Sequence, residues 1–148
     1  MAENPVDLAR QLFDRLSRIT DPTGRRVNLL DADSMAAIVD SLHPEIEMHE
    51  DPSFPEADTY RGLEAVRNYY AQFMESFDEF NFEAEDILDA SGDSAVVLFH
   101  IRSRGKGSGA TADTHAGWIY TFRDGKVGRI DAYLDRNEAL AAAGLANP

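Results

Sequence analysis

The hydrophobic pattern of this chain changes near Phe80, and this change constrains the fold more than any other feature of the sequence. Before Phe80 apolar residues recur at helical spacing, and after it they alternate with polar residues, as in β-strands. The alternation predicts four strands, over residues 80–88, 94–104, 111–122 and 126–135. Their links are short, and Asp124-Gly125 is a strong hairpin signal. Because a parallel crossover needs about a dozen residues or more, successive strands are expected to be antiparallel neighbours.

The first half of the chain is predicted to be mainly helical. A second helix is expected to start at Asp33 or Ser34 and to end at Pro44, between a first helix over 5–19 and a third over 62–77. A short strand over 45–51, a loop over 51–58 and a closing helix over 137–143 complete the prediction. Helices followed by an antiparallel meander indicate an α+β fold. We expect one domain over residues 1–148, in which three N-terminal helices cover the concave face of a curved sheet of four or five strands.

Charge and cysteine content exclude several classes of function. The chain has 14 basic and 27 acidic residues, a formal net charge of −13, so binding to nucleic acid or to an anionic membrane surface is not expected. It contains no cysteine, which excludes disulfides, thiolate metal sites and cysteine nucleophiles. No signal peptide and no apolar run of about 18 residues is present, and a cytoplasmic location is predicted.

The predicted strands suggest which side chains line an apolar enclosure. If the apolar sets face the helices, Trp118, Tyr120, Ile130, Ala132 and Leu134 lie on the concave side. On the strand over 94–104, Leu98 and His100 share one face, and His100 is a candidate polar group inside the enclosure. Tyr70, on the apolar stripe of the third helix, is a further candidate. These residues predict a pocket for a small apolar organic molecule.

The stretch His49-Glu50-Asp51-Pro52 concentrates one imidazole and two carboxylates at a strand end. A carboxylate over an apolar cavity is partly desolvated, which raises its proton affinity and makes it a usable base near neutral pH. The alternative reading is a solvated turn in which Asp51 caps backbone amides. Simple alternation groups Met48 with Glu50, and His49 with Asp51, so the carboxylate that faces the pocket is left open.

The order and spacing of five motifs resemble a known group of proteins. The motifs are His49-Glu50-Asp51-Pro52, Tyr60-Arg61-Gly62, Tyr69-Tyr70, Phe122-Arg123-Asp124-Gly125-Lys126-Val127 and Tyr133-Leu134-Asp135. They resemble the SnoaL-like and ketosteroid isomerase-like branch of the nuclear transport factor 2 superfamily. The resemblance implies a cone-shaped α+β barrel with a deep apolar pocket and homodimerisation through the outer sheet surface. It also implies acid–base chemistry such as double-bond isomerisation, ring closure, epoxide hydrolysis or dehydration.

Carried over by position, the resemblance makes Asp51 the base. The oxyanion donors of ketosteroid isomerase fall near Phe13 or Leu16 and at Trp118, where only the indole N–H of Trp118 can donate a hydrogen bond. Since loss of one oxyanion donor typically costs about a hundredfold in rate, steroid isomerase activity itself is not expected. The base of the epoxide hydrolases falls at Ala132, so that chemistry is not expected either.

Three hypotheses follow from these residues. The first is an enzyme, without cofactor or metal, that transfers a proton next to a carbonyl group of an apolar cyclic substrate; Asp51 is the base, and His100, Tyr70 or His49 polarises or orients the substrate. The second is a module that binds a hydrophobic molecule without chemistry in the same pocket, where Glu50 is a further contact. The third, a metal site built from His49, Glu50 or Asp51 with His100, lacks any regular ligand spacing.

Overall fold

The computed structural model of the protein describes residues 4–54, 57–90 and 92–145. These residues form four helices and seven strands. In chain order the elements are α1 (Pro5–Ser17), β1 (Arg26–Asn28), α2 (Ala32–Asp40), β2 (Leu42–His49), β3 (Thr59–Arg61), α3 (Leu63–Met74), β4 (Phe77–Asp89), β5 (Ser94–Gly105), β6 (Thr111–Arg123), β7 (Lys126–Tyr133) and α4 (Arg136–Ala142).

All seven strands belong to one curved, unclosed sheet in the order β1-β4-β5-β6-β7-β2-β3. The four long strands predicted from the alternation, β4 to β7, are antiparallel neighbours as expected. The α+β prediction is confirmed, but the sheet has more strands than predicted. The additional strands β1 and β3 are three residues long at the sheet edges, too short to show a period in the sequence. β2 pairs with β7 in parallel, a contact between segments that are far apart in the chain.

Two predicted helix boundaries near β2 are wrong. α2 is capped by Asp31, which accepts a hydrogen bond of 2.9 Å from the backbone N–H of Ser34, rather than by Asp33 or Ser34. Pro44 does not end that helix but lies within β2. The register of β2 against β7 shifts between Leu42 and Glu47, so the missing N–H of Pro44 falls in an irregular part of the ladder.

The concave face of the sheet packs against α1 and α3 around a cluster of aromatic rings. Phe13 of α1 lies edge-on to Phe99, at 5.3 Å between ring centroids, and to Tyr120, at 5.5 Å. Burial of one such ring stabilises the fold by about 2–3 kcal/mol. This packing holds α1 across the centre of the sheet.

The closing helix α4 lies on the convex face of the same sheet, a position that no local signal in the sequence predicts. Its Ala139 is fully buried and packs with Val96 and Ile119 in a second, smaller core. Gly117 permits this approach, since a Cβ atom there would lie only 2.7 Å from the Cβ of Ala139. Within the described ranges, no helix has both the length and the apolar character needed to cross a bilayer.

Candidate functional site

Two adjacent chambers lie between the concave face of the sheet and the helices. The inner chamber, about 30 Å³, is enclosed almost wholly by apolar side chains of α1, α2 and the sheet. The outer chamber, about 160 Å³, opens between α3, the end of β2 and the end of β7. Both are lined by Leu29, Tyr70, Phe80, Ile101 and Trp118, which form the partition between them. The inner chamber has room for about one water molecule, so the outer chamber is the candidate ligand site.

Most of the predicted pocket residues line these chambers. Glu50, Asp51, Ala132 and Leu134 line the outer chamber, and Tyr120 and Ile130 line the inner one. Tyr70 and Trp118 line both. The side chains of β6 and β7 that were predicted to face the helices therefore do face them.

His100 and Leu98 lie on the convex face, outside both chambers, contrary to the predicted orientation. The Nε2 atom of His100 is 2.7 Å from the Oδ1 atom of Asp113, and the ring of His100 stacks on that of His115 at 4.8 Å. Leu98 packs against the second, smaller core, beneath α4. The inward-facing residues of this strand are instead Phe99 and Ile101. The orientation could not be read from the sequence because α4 covers the other face, so β5 is apolar on both sides.

His49 also lies outside the chambers. Its Nδ1 atom is 3.1 Å from the hydroxyl oxygen of Thr59 on the neighbouring strand β3. Its Nε2 atom is buried and has no hydrogen-bond partner among the described residues. Three strand spacings, about 14 Å, separate β2 from β5. A metal site that joins His49 to His100 is therefore not formed, and the part of the chain that the structure describes contains no group of three or more potential protein ligands for a metal.

Asp51 is almost completely buried, with 2% of its surface exposed, and both of its carboxylate oxygens accept backbone hydrogen bonds. Oδ2 accepts from the N–H of Leu134 at 2.7 Å, and Oδ1 accepts from the N–H of Ser53 at 2.8 Å. Burial raises the pKa of the Asp51 carboxyl, but these hydrogen bonds outweigh burial, and the pKa lies below its ordinary value. Asp51 thus acts as a clamp between the ends of β2 and β7, with its carboxylate held in the ionised form.

Glu50 is the carboxylate whose strand position matches the inward side of β2. It follows Met48 at the two-residue spacing of a strand, and Met48 is fully buried toward the chamber. The Oε1 atom of Glu50 accepts a hydrogen bond of 3.1 Å from the hydroxyl of Tyr60. Among the described residues, no other hydrogen bond to the Glu50 carboxylate is found. Glu50 is thus a carboxylate that lines the outer chamber and has one oxygen without a hydrogen-bond partner among the described residues.

Trp118 supplies a hydrogen-bond donor at the partition between the chambers. Its Nε1 atom is buried and has no hydrogen-bond partner among residues 4–54, 57–90 and 92–145. The ring is held edge-on against Phe99, at 5.5 Å between centroids. A buried N–H without an acceptor costs about 1–3 kcal/mol, so an acceptor on a bound molecule would recover this energy.

The tyrosine hydroxyls around the chambers remain protonated. Burial raises the pKa of Tyr69, Tyr70 and Tyr120 above the ordinary value for a phenol. The negative charge of Glu50 raises the pKa of Tyr69 further. These residues are therefore neutral donors and apolar walls rather than bases.

Several chamber residues were not identified from the sequence. They are, in the outer chamber, Leu29, Met48, Phe54, Tyr69, Phe73, Met74, Phe77, Phe80, Ile101, Ser103 and Thr114. The alternation on β5 groups Ser103 with Phe99 and Ile101, and this signal could have identified it. The aromatic residues of α3 form a stripe that is also typical of an ordinary core, so no sequence signal separates the two roles.

Comparison with known proteins agrees with the fold and the pocket. The family model described as a SnoaL-like domain matches residues 8–130, most of the chain. The chain belongs to the SnoaL-like domain family. Searching the curated proteins returns no match.

Solved structures of low sequence identity share the SnoaL-like fold. A candidate SnoaL-like polyketide cyclase from Jannaschia sp. CCS1 has a TM-score of 0.67 at 18% identity, over 97% of this chain and 93% of that one. A candidate isomerase from Bacillus subtilis has a TM-score of 0.70 at 14% identity, over 97% and 98% of the two chains. The protein Rv0760c from Mycobacterium tuberculosis, in complex with estradiol-17beta-hemisuccinate, has a TM-score of 0.63 at 14% identity, over 90% and 96%.

Proposed function

We propose that this SnoaL-like protein binds a small, mainly apolar organic molecule in the outer chamber and transfers a proton next to a carbonyl group of that molecule. Glu50 is the base, and the indole N–H of Trp118 donates a hydrogen bond to the carbonyl oxygen. The observation that carries the proposal is that one apolar chamber is lined by both a carboxylate with an unused oxygen and a residue with an unused buried donor. The steroid-related ligand of the Mycobacterium tuberculosis protein supports the ligand class.

The proton transfer is balanced without a cofactor. Glu50 removes a proton from the carbon next to the carbonyl, and the electron pair of that C–H bond moves onto the carbonyl oxygen. The N–H of Trp118 stabilises the negative charge that develops there, in a site with little water. Return of this proton to another carbon of the conjugated system gives isomerisation. If the protonated Glu50 first trades its proton with solvent, a solvent proton is delivered to the same carbon, which gives exchange.

The choice of Glu50 over Asp51 rests on hydrogen bonding. Each carboxylate oxygen of Asp51 already accepts one backbone hydrogen bond, whereas one oxygen of Glu50 accepts none among the described residues. The hydrogen bonds that lower the pKa of Asp51 also weaken it as a proton acceptor. Asp51 is then a positioning residue for the loop that carries Glu50. The family resemblance supports the opposite assignment, with Asp51 as the base, and the test below separates the two.

A second candidate function is binding without chemistry. It is favoured by the side chains of α1 at the pocket, Phe13 and Leu16, which offer no hydrogen-bond donor to a carbonyl oxygen. One indole N–H alone provides less stabilisation of a developing oxyanion than the two donors of a typical oxyanion hole. This alternative predicts a ligand that remains unchanged in the pocket.

The experiment uses β-tetralone, a bicyclic ketone with exchangeable C–H bonds next to its carbonyl group. The protein is incubated with β-tetralone in D₂O, and loss of the proton signals next to the carbonyl is followed by NMR. We expect the wild-type protein to accelerate exchange, and Glu50→Gln to lower this acceleration by about a hundredfold or more. Gln can still accept the hydrogen bond from Tyr60, so the loop is preserved.

Two further variants test whether Asp51 is the base and whether the effect is specific to Glu50. Asp51→Asn is expected to retain exchange in its folded fraction, and Glu64→Gln, at an exposed site on α3, should behave as the wild type. Loss of exchange in Asp51→Asn with exchange retained in Glu50→Gln would identify Asp51 as the base instead. Binding without any exchange in the wild type would favour the binding module.

We further propose that the protein is a cytoplasmic homodimer, with the contact on the part of the convex face that α4 leaves uncovered. This strip carries paired charges, among them Arg129 with Asp131 at 2.9 Å and Arg61 with Glu47. Analytical ultracentrifugation tests the dimer: a monomer at all concentrations would contradict it. Reversing one charge, as in Arg129→Glu, should weaken a dimer that uses this strip.

A further inference from the structure

Exposed apolar side chains are concentrated at the mouth of the outer chamber. Among the described residues four large hydrophobic side chains are exposed, and three of them line this chamber. These are Phe54 at 38%, Phe73 at 37% and Leu134 at 45% exposure. Single exposed apolar residues are common on protein surfaces, but their concentration around one opening indicates a binding surface.

These rim residues come from three separate parts of the chain. Phe54 follows β2, Phe73 belongs to α3, and Leu134 follows β7. The backbone N–H of Leu134 donates a hydrogen bond to the carboxylate of Asp51. This bond fixes the position of Leu134 at the edge of the chamber. The rim is therefore built by the fold rather than by one mobile segment.

A continuous row of aromatic rings joins the rim to the partition with the inner chamber. Phe73 stacks against Tyr69 at 6.0 Å between centroids and contacts Phe77 at 5.2 Å and Phe80 at 5.7 Å. Phe80 lines both chambers. The row gives a long molecule apolar contact from the base of the chamber outward to the surface.

The chamber is too small to hold a typical ligand completely. Its volume is about 160 Å³, whereas pockets for drug-sized ligands usually measure about 300–1,000 Å³. A ligand of drug-like size with one end in the chamber therefore extends beyond it, across the rim.

We propose that the molecule bound here is elongated, with a cyclic carbonyl-bearing head in the outer chamber and an uncharged apolar tail that packs on the rim residues Phe54, Phe73 and Leu134. This inference rests on the proposed function, since it takes the outer chamber as the ligand site. The tail carries no negative charge, because the chain has a net charge of −13 and repels anions. The rim thus selects substrates by tail length and polarity.

The test compares β-tetralone with its ethyl, butyl and hexyl derivatives, substituted on the aromatic ring away from the carbonyl group. Trp118 is the single tryptophan of the chain and lines the chamber, so quenching of its fluorescence reports binding. Complete burial of a methylene group corresponds to about a fourfold gain in affinity. For a tail on a half-exposed rim, we expect a gain of about twofold per methylene.

A rim variant and a matched control assign the gain to these residues. Phe73→Ala combined with Leu134→Ala should remove most of the gain per methylene, measured for each variant as the ratio of its affinities for the hexyl derivative and for unsubstituted β-tetralone. Leu30→Ala removes the fourth exposed hydrophobic side chain, which does not line the chamber, and should leave the series unchanged.

The outcomes distinguish this inference from the proposed function. Binding of β-tetralone with no gain along the series would overturn the inference and leave the proposed ligand site intact. Absence of binding for every member would overturn both. A wild-type dimer that Phe73→Ala with Leu134→Ala converts to a monomer would show that a second copy covers the rim, which also overturns the inference.

Discussion

The carboxylate of Asp51 and the backbone N–H of Leu134 form a hydrogen bond of 2.7 Å although 83 residues separate them in the chain. The same carboxylate accepts from the N–H of Ser53. The bond from Leu134 joins the ends of the parallel strands β2 and β7 at the edge of the outer chamber, and the bond from Ser53 fixes the turn after β2. They position the loop that carries Glu50 and also the rim residue Leu134, so one buried side chain supports both proposed parts of the ligand site.

We expect Asp51→Asn to lower the free energy of unfolding by about 2 kcal/mol, because hydrogen bonds to a charged group contribute about 1.5–3 kcal/mol each. The amide can replace one acceptor oxygen, but its NH₂ group faces a backbone N–H that it cannot bond. Equilibrium unfolding in urea measures the change. Asp78→Asn, at an exposed position on β4, is the matched control and should change stability by less than about 0.5 kcal/mol. Equal effects of the two variants would contradict the clamp.

Asp21 is expected to make the free energy of unfolding decrease as the pH falls below about 4. The hydroxyl and backbone N–H of Thr23, together with the N–H of Arg26, bond its carboxylate and lower its pKa to about 2. Since the folded-state pKa lies below the unfolded-state value of about 3.9, Asp21 stabilises the fold fully above about pH 4, and this contribution is lost as the pH falls toward about 2. We expect Asp21→Asn to be less stable than the wild type near neutral pH, and this difference to decrease steadily as the pH falls toward about 2. A difference that persists at low pH would contradict this linkage.

Trp118→Phe separates ligand binding from stability. Phe keeps an aromatic ring against Phe99 and removes a buried N–H that has no protein acceptor in the described residues, so stability should fall by less than about 1 kcal/mol. The affinity for β-tetralone should fall by about tenfold if the N–H bonds its carbonyl. Calorimetry measures binding, since the variant lacks tryptophan. Tyr120→Phe, which removes a hydroxyl next to the inner chamber, is the control and should bind normally.

The approach of α4 to the sheet predicts strong coupling between Gly117 and Ala139. A Cβ atom at Gly117 meets the Cβ of Ala139 at 2.7 Å, so Gly117→Ala forces the helix away and should cost about 1–3 kcal/mol. Ala139→Gly alone should cost about 1 kcal/mol through helix propensity. The double variant removes the clash. We expect its loss in free energy of unfolding to be smaller than the sum of the two single losses by at least about 1 kcal/mol. Additive effects would contradict the packing.

The long strands and their order were predictable from the sequence because local signals determine them. Period-two alternation sets which residues of β4 to β7 share a face, and the turn at Asp124-Gly125 leaves only an antiparallel pairing of β6 with β7. Once the apolar set was assigned inward, Trp118, Ala132 and Leu134 followed as chamber residues. The pairing of β2 with β7 was not predictable, since the two strands meet only when the whole sheet has formed.

Alternation groups residues by face but does not tell which face is inside, and this limit determined where the site prediction succeeded. On β6 the polar side of the strand marks the outside, whereas on β5 both Val96 and Val97 are fully buried, under α4 and in the main core respectively. The predicted inward orientation of His100 is therefore wrong. At the end of β2, the sequence restricts the candidate bases to Glu50 and Asp51. Only the tertiary structure shows that the backbone N–H of Leu134 engages Asp51, because the parallel pairing of distant strands brings it there.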